Sequence, residues 1–142
     1  MSTEQNKAIV QRYREAHNTN QLDRLDEIVA ANLIAHNQMP GLPPGLEGGK
    51  MAHMGGVASF PNLQVRTEDL IAEGDKVVVR YTWRGTQQGA FMDIAPTHKQ
   101  VSISSIDILR FANGKVVEHW GSTDNLGLLQ QLGVVPAPGQ TS

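Results

Sequence analysis

The sequence contains no cysteine, which excludes disulfide bonds, thiol nucleophiles and cysteine-ligated zinc or iron–sulfur sites. It also lacks a strong charge of either sign, because the net charge is -2, and no basic cluster is interleaved with aromatic residues. A nucleic-acid partner is therefore not predicted. No apolar run approaches the roughly 20 residues that a membrane span needs. The first residues, Ser2 to Lys7, are polar where a signal peptide would be hydrophobic. These absences predict a cytoplasmic protein without a membrane partner.

What the sequence does contain is typical of one globular domain. Its 142 residues are 39 % apolar and 18 % charged, and this length leaves little room for two domains. We expect a single domain over residues 1–142, in which the proline- and glycine-containing end, 133–142, is a flexible tail. No spacing of histidine, aspartate and glutamate resembles a metal site, so no metal is predicted.

The N-terminal part of the chain predicts helices. Ser2 and Gln5 form the pattern of a capping box, in which each residue binds the backbone of the other. Apolar residues then recur at helical spacing, at Ile9, Tyr13 and Ala16. A second helix is predicted over 22–29 from its apolar face, and a short apolar turn over 33–36 closes this part of the chain.

A loop and a weaker helix follow. The loop over 37–49 is rich in proline and glycine and is long for a compact domain, which favours a functional role. A third helix is predicted over Lys50 to Ser59, although its glycines lower the helix propensity.

The rest of the chain predicts strands. They are rich in β-branched residues or alternate apolar with polar residues, and they cover 63–68, 77–84, 100–112 and 115–124. Asn113-Gly114 is a strong signal for a tight hairpin turn between the last two strands. Leucines after Asp124 predict one short C-terminal helix.

Helices followed by a strand meander indicate the α+β class. We expect a curved antiparallel sheet of about four strands packed on three N-terminal helices, with a short C-terminal helix. Such a sheet buries one face under the helices and forms a cone whose mouth can hold a ligand. The other face suits an interface between two copies of the chain.

Side chains that can perform chemistry are concentrated near the end of the last strand. Asp124 follows that strand and either acts as a functional carboxylate or caps the next helix. His119 and Trp120 are adjacent on the strand, so they face opposite sides and only one of them can line a pocket. His36 ends an apolar run beside the long loop and is expected at the cavity mouth. The other histidines are expected at the surface: His17, His53 and His98.

Several blocks of the sequence resemble one family, and they occur in consistent order along almost the whole chain. The blocks are 20–23, 60–63, 72–80, 84–86, 107–111, 114–120 with Asp124, and 129–133. In these blocks the chain resembles the SnoaL-like polyketide cyclases, also called ester cyclases, of the NTF2-like superfamily. The resemblance implies an NTF2-like cone.

The resemblance also implies a chemistry. In the characterised cyclases, an aspartate after the His-Trp strand is the general acid/base of an intramolecular aldol ring closure that needs no cofactor. This implies Asp124 as the acid/base, assisted by His36 or His119. The implied substrate is a hydrophobic, carbonyl-bearing small molecule such as a polyketide, and the implied assembly is a homodimer through the outer sheet face. Residues expected to contact the substrate are Trp120, Trp83, Phe60, Tyr13 and Arg110.

The sequence departs from the polyketide cyclases on the strand before the hairpin. Ile108 and Arg110 stand where that family has a supporting histidine and glutamine. Arg110 either donates to an oxyanion or is a surface charge. Besides the cyclase or isomerase hypothesis, two alternatives are therefore considered. One is a ligand-binding domain without catalysis, and the other is an epoxide-hydrolase-like enzyme in which Asp124 activates water.

Overall fold

The computed structural model describes residues 2–136 and 138–139. Helix α1 covers Thr3–Asn18, and the capping box predicted at its start is confirmed. The backbone N–H of Gln5 donates to the Ser2 hydroxyl over 3.1 Å, and the Gln5 side chain accepts from the backbone of Ser2 over 2.9 Å. The buried side of α1 packs on strands of the sheet.

The segment after α1 differs from the prediction. A short 3-10 helix covers Leu22–Glu27, and strand β1 covers Val29–Ala35, where a second α-helix and an apolar turn were expected. Apolar spacing over so short a segment fits both structures. Pairing decides the outcome, because β1 lies parallel to the last strand and shares backbone hydrogen bonds with it.

Helix α2 covers Gly45–Ser59 and so begins five residues before the predicted third helix. The meander follows, with strands β2 (Gln64–Glu73), β3 (Lys76–Thr86), β4 (Gln100–Ala112) and β5 (Lys115–Thr123), and helix α3 (Asn125–Leu132) ends it. The sheet order is β1-β5-β4-β3-β2, and β2 to β5 pair antiparallel.

The predicted α+β class is confirmed, with five strands instead of about four. The additional strand is β1, which makes the sheet mixed, and the sheet is curved and not closed. Part of the tail predicted to be flexible, residues 137 and 140–142, lies outside the described residues. Within the described part of the chain, no helix is long and apolar enough to cross a membrane.

The core divides into two apolar clusters on the inner face of the sheet. One lies under α1, and the other lies beside α3. Along β4, Leu109 belongs to the first cluster and Ile103 to the second, while the buried residues between them, Ser105 and Asp107, are polar. Polar side chains at buried positions cost stability unless they are paired. The polar residues that interrupt the core are therefore a candidate location for a functional site.

Candidate functional site

An aspartate and a histidine meet on the inner face between the two apolar clusters. Asp107 on β4 lies opposite Gly121 on β5, and His119 lies opposite Leu109, so both side chains share one face. Nε2 of His119 is 3.2 Å from Oδ2 of Asp107. The contact has ion-pair distance without hydrogen-bond alignment, and Nε2 has no hydrogen-bond partner among the described residues. An imidazole and a carboxylate are thus held together with unused hydrogen-bonding capacity.

Tyr81 supports the carboxylate from β3. Its hydroxyl donates to Oδ1 of Asp107 over 3.3 Å. Burial raises the pKa of Tyr81, and the nearby Asp107 carboxylate raises it further. The phenol therefore stays protonated at neutral pH and remains a donor to the carboxylate.

Gly121 provides the space in which the carboxylate lies. A Cβ atom at this position would lie 2.6 Å from Oδ1 of Asp107 and 3.4 Å from Nε2 of His119. Any larger residue would push the carboxylate or the strand away. The glycine next to the His-Trp pair in the sequence is therefore part of the site.

These residues open onto a cleft of about 410 Å³. The loop after β1 forms part of its wall, because Asn37 and Met39 line it and Asn37 Oδ1 accepts a hydrogen bond of 2.7 Å from the backbone N–H of Gly121. The complete lining is Asn37, Met39, Tyr81, Asp107, His119, Gly121, Ser122, Thr123 and Asn125. The proline- and glycine-rich loop thus lies beside the histidine–carboxylate pair.

Helix α1 adds polar side chains to the interior. Nδ1 of His17 lies 2.8 Å from the backbone oxygen of Tyr13, and the His17 ring meets the His53 ring edge-on at 4.8 Å. Burial lowers the pKa of His17 to about 3, so this histidine is neutral at neutral pH. His17 is half-buried against the rings of Tyr13 and His53, whereas it was expected to be exposed at the surface. Arg14, its neighbour on the helix, lies over the ring of Tyr81.

Three of the predicted site residues lie on the opposite, outer face of the sheet: His36, Arg110 and Trp120. Glu118 is 2.8 Å from Nε of Arg110 and 2.6 Å from Nε2 of His36. The His36 ring stacks on Trp120 with centroids 4.9 Å apart. We call these four residues the outer cluster. As strand alternation predicts, His119 and Trp120 are on different faces, and the inner one is His119.

The structure does not bring Asp124 into the cleft. Its side chain is exposed and caps α3, where Oδ1 accepts a hydrogen bond of 2.9 Å from the backbone N–H of Gly127. Of the two interpretations of this residue, the helix cap is the one observed, and its catalytic role stays a prediction. Phe60 and Trp83 pack edge to face at 5.3 Å in the second apolar cluster, and their substrate contacts also stay predictions.

Comparison with known proteins identifies the family. The sequence profile of the SnoaL-like polyketide cyclases matches residues 7–132. The chain belongs to the SnoaL-like polyketide cyclase family. No curated protein sequence matches it at a significant level.

Within the described part of the chain, no group of three or more histidine, aspartate or glutamate residues could hold a metal ion.

Solved structures agree with the family membership. TsrD from Streptomyces laurentii is 28 % identical, with a TM-score of 0.87 over 95 % of this chain and 99 % of that chain. A candidate polyketide cyclase from Bacillus cereus is 33 % identical, with a TM-score of 0.77 over 89 % of this chain and 79 % of that one. IdmH, a candidate polyketide cyclase from Streptomyces antibioticus, is 30 % identical, with a TM-score of 0.79 over 89 % and 97 %. Together with the family profile, these SnoaL-like relatives support a cyclase or isomerase role.

Proposed function

We propose that the protein is a cofactor-independent cyclase or isomerase in which His119 and Asp107 form the acid/base pair. The substrate would be a hydrophobic, carbonyl-bearing small molecule such as a polyketide. The observation that carries the proposal is the contact of an imidazole and a carboxylate, 3.2 Å apart, at the wall of a cleft. Their position between two apolar clusters supports a role other than packing.

His119 is the partner that reaches the substrate. Its side chain is 24 % exposed, whereas that of Asp107 is 9 % exposed. In the proposed reaction the imidazole removes a proton from a carbon between two carbonyls, and the Asp107 carboxylate stabilises the resulting imidazolium. The enolate carbon attacks a second carbonyl of the same molecule and forms a C–C bond. The imidazolium then returns its proton to the new alkoxide, so the product is an isomer of the substrate.

Tyr81 has a positioning role in this reaction. Its phenol donates to the Oδ1 oxygen of Asp107 and leaves Oδ2 toward His119. This arrangement fixes which carboxylate oxygen faces the imidazole. A cleft that excludes water would strengthen each of these interactions.

The experiment compares the two histidines that pair with carboxylates. The substrate is an aromatic β-keto ester that carries a pendant ketone, and its ring closure is monitored by absorbance and mass spectrometry. His119→Gln should lower kcat by about 10²- to 10⁴-fold, the usual contribution of a general acid/base. His36→Gln, the matched control on the outer face, and Asp124→Asn should retain turnover.

Two results would contradict the proposal. If Asp124→Asn abolishes turnover and His119→Gln does not, Asp124 is the acid/base. If the wild-type protein binds the ester but none of the variants changes a background rate, the chain is a binding domain without catalysis.

We also propose that two copies of the chain associate through the outer sheet face. One row of apolar side chains crosses four strands on this face: Ile71, Val78, Ile108 and Trp120. Ile71 is 63 % exposed and belongs to this row, and contiguous exposed apolar surface marks interaction sites. Ile71→Glu should convert a dimer into a monomer in light scattering, and an unchanged mass would contradict this interface. The cytoplasmic location stays a prediction.

A further inference from the structure

A shielded cation without a counter-ion lies beside the proposed acid/base pair. The guanidinium carbon of Arg14 is 4.5 Å from the ring centroid of Tyr81 and 5.6 Å from that of Tyr13. Its Nε is closed off from solvent and has no hydrogen-bond partner among the described residues. No carboxylate in the described part of the chain forms an ion pair with it.

The other arginines do not share this situation. Arg66, Arg80 and Arg110 each pair with a carboxylate of the sheet. Arg12, two residues before Arg14 on α1, is exposed and lies 3.7 Å from Glu27. The remaining unpaired arginines, Arg24 and Arg84, are exposed to water. Arg14 thus combines partial burial with the lack of an anion.

A partly buried arginine without a paired anion requires a physical explanation. Removing a cation from water is unfavourable, and contacts with aromatic faces offset only part of the loss. The side chains around Arg14 do not supply a negative charge in direct contact. They are two protonated tyrosines, Tyr13 and Tyr81, and two histidines, His17 and His53, whose pKa values burial lowers. The nearest carboxylate of the site, Asp107, is held by the hydroxyl of Tyr81.

We propose that Arg14, which lies over the ring of the cleft residue Tyr81, is an anion-binding residue and holds a negatively charged oxygen of the ligand. The inference deepens the proposed function and rests on it for the identity of the reacting group. Tyr81 connects the anion-binding residue with the acid/base pair. The guanidinium of Arg14 stacks on its ring, and its hydroxyl donates a hydrogen bond to Asp107. The ligand class is a small molecule that bears a carboxylate or forms an enolate, with that oxygen at Arg14 and its acidic carbon toward His119.

Calorimetry with a matched pair of probes tests the proposal directly. The probes are 2-naphthoate and its neutral analogue 2-naphthamide. The wild-type protein should bind the carboxylate about tenfold or more tightly than the amide, as expected for charge-assisted hydrogen bonds. Arg14→Met should lose this preference, and Arg12→Met, the same change on the exposed side of the helix, should keep it. Equal preference in wild type and Arg14→Met would exclude a carboxylate at Arg14, and it would overturn the proposal if phenolate binding, the second probe below, is also unchanged.

A second probe distinguishes the two sources of the negative oxygen. 4-Nitrophenol resembles an enolate when ionised, and its absorption reports the ionised fraction of the bound form. If Arg14→Met lowers both naphthoate affinity and bound phenolate, the site accepts carboxylates and enolates. Loss of bound phenolate alone assigns Arg14 to the enolate, and loss of neither overturns the proposal. Arg14→Gln provides a second neutral variant if the methionine variant does not fold.

The binding readout separates this inference from the proposed function. Asp107→Asn removes a negative charge near the cavity, so it should keep or increase the affinity for 2-naphthoate. If that variant retains ring closure while Arg14→Met loses the anion preference, the acid/base assignment fails and the anion site stands. If Asp107→Asn loses turnover and Arg14→Met keeps both the naphthoate preference and the bound phenolate, the anion site fails and the acid/base assignment stands.

Discussion

A histidine–carboxylate pair lies on each face of the β4–β5 hairpin, and the outer histidine, His36, directly follows the end of β1. On the outer face, Glu118 binds both His36 and Arg110, and these two contacts lower its pKa. On the inner face, among the described residues, Asp107 accepts a side-chain hydrogen bond from the neutral hydroxyl of Tyr81 and lies beside the imidazole of His119. An imidazole and a carboxylate therefore occur together in two different electrostatic settings.

The difference indicates which pair can transfer protons. The outer carboxylate is neutralised by a permanent cation and held by two short contacts, so it has little remaining basicity. Among the described residues, no arginine or lysine pairs with the inner carboxylate, and the imidazole beside it lines a cleft. Residue type alone does not distinguish the two pairs, whereas the contacts around each carboxylate do.

Outside the acid/base pair itself, the largest effect is expected from closing the space in which the inner carboxylate lies. Gly121→Ala would place a Cβ atom 2.6 Å from Oδ1 of Asp107, so the carboxylate must move. Misplacement of a catalytic group by about 1 Å costs roughly a hundredfold in rate, and we expect a loss of kcat of that size. Gly55→Ala, at a position where no atom lies within 4 Å, should leave turnover unchanged. Full activity of Gly121→Ala would mean that the inner pair does not need its present geometry.

The acid sensitivity of the fold should be traceable to the interior histidine. The pKa of His17 is about 3 in the folded protein, chiefly because of burial, against about 6.5 when unfolded. The unfolded chain therefore binds more protons between these values, and the free energy of unfolding should fall as pH decreases through this window. One such group contributes a slope of up to about 1.4 kcal/mol per pH unit.

Chemical denaturation at several pH values measures this slope. His17→Gln should flatten the profile between about pH 6 and pH 4, and the exposed control His98→Gln should follow the wild type. Parallel profiles for wild type and His17→Gln would contradict the burial of a neutral imidazole at this position.

The smallest effect is expected from Asp124. Asp124→Ala removes the cap of α3 and should lower the free energy of unfolding by about 1 kcal/mol. Turnover of the folded variant should stay close to that of the wild type, because the side chain is exposed and outside the lining of the cleft. A large loss of kcat without loss of stability would show that the helix cap is not its main role.

Much of the fold could be predicted from the sequence because local signals agree with the final structure. The capping box begins α1 where expected, and alternation along β4 separates a buried from an exposed face. Strand β1 could not be predicted in this way. Its residues form a strand because they pair with β5, a long-range contact that local spacing does not reveal.

The site was harder to predict because it depends on a shift in strand register. The tight turn sets Phe111 opposite Val116. If this register continued, Asp107 would lie opposite Trp120, and His119 would face outward. The shift between Arg110 and Phe111 instead brings His119 to the inner face beside Asp107. A one-residue shift changes the face of every following side chain, and nothing in the local sequence reveals this bulge.

The most direct test of the central claim replaces each hairpin carboxylate by its amide. Asp107→Asn and Glu118→Gln make the same chemical change on opposite faces, and kcat for ring closure of the β-keto ester is measured for both. We expect a loss of about 10²-fold or more for Asp107→Asn and a change of less than about threefold for Glu118→Gln. Equal effects of the two changes, or a larger effect on the outer face, would contradict the assignment of the chemistry to the inner pair.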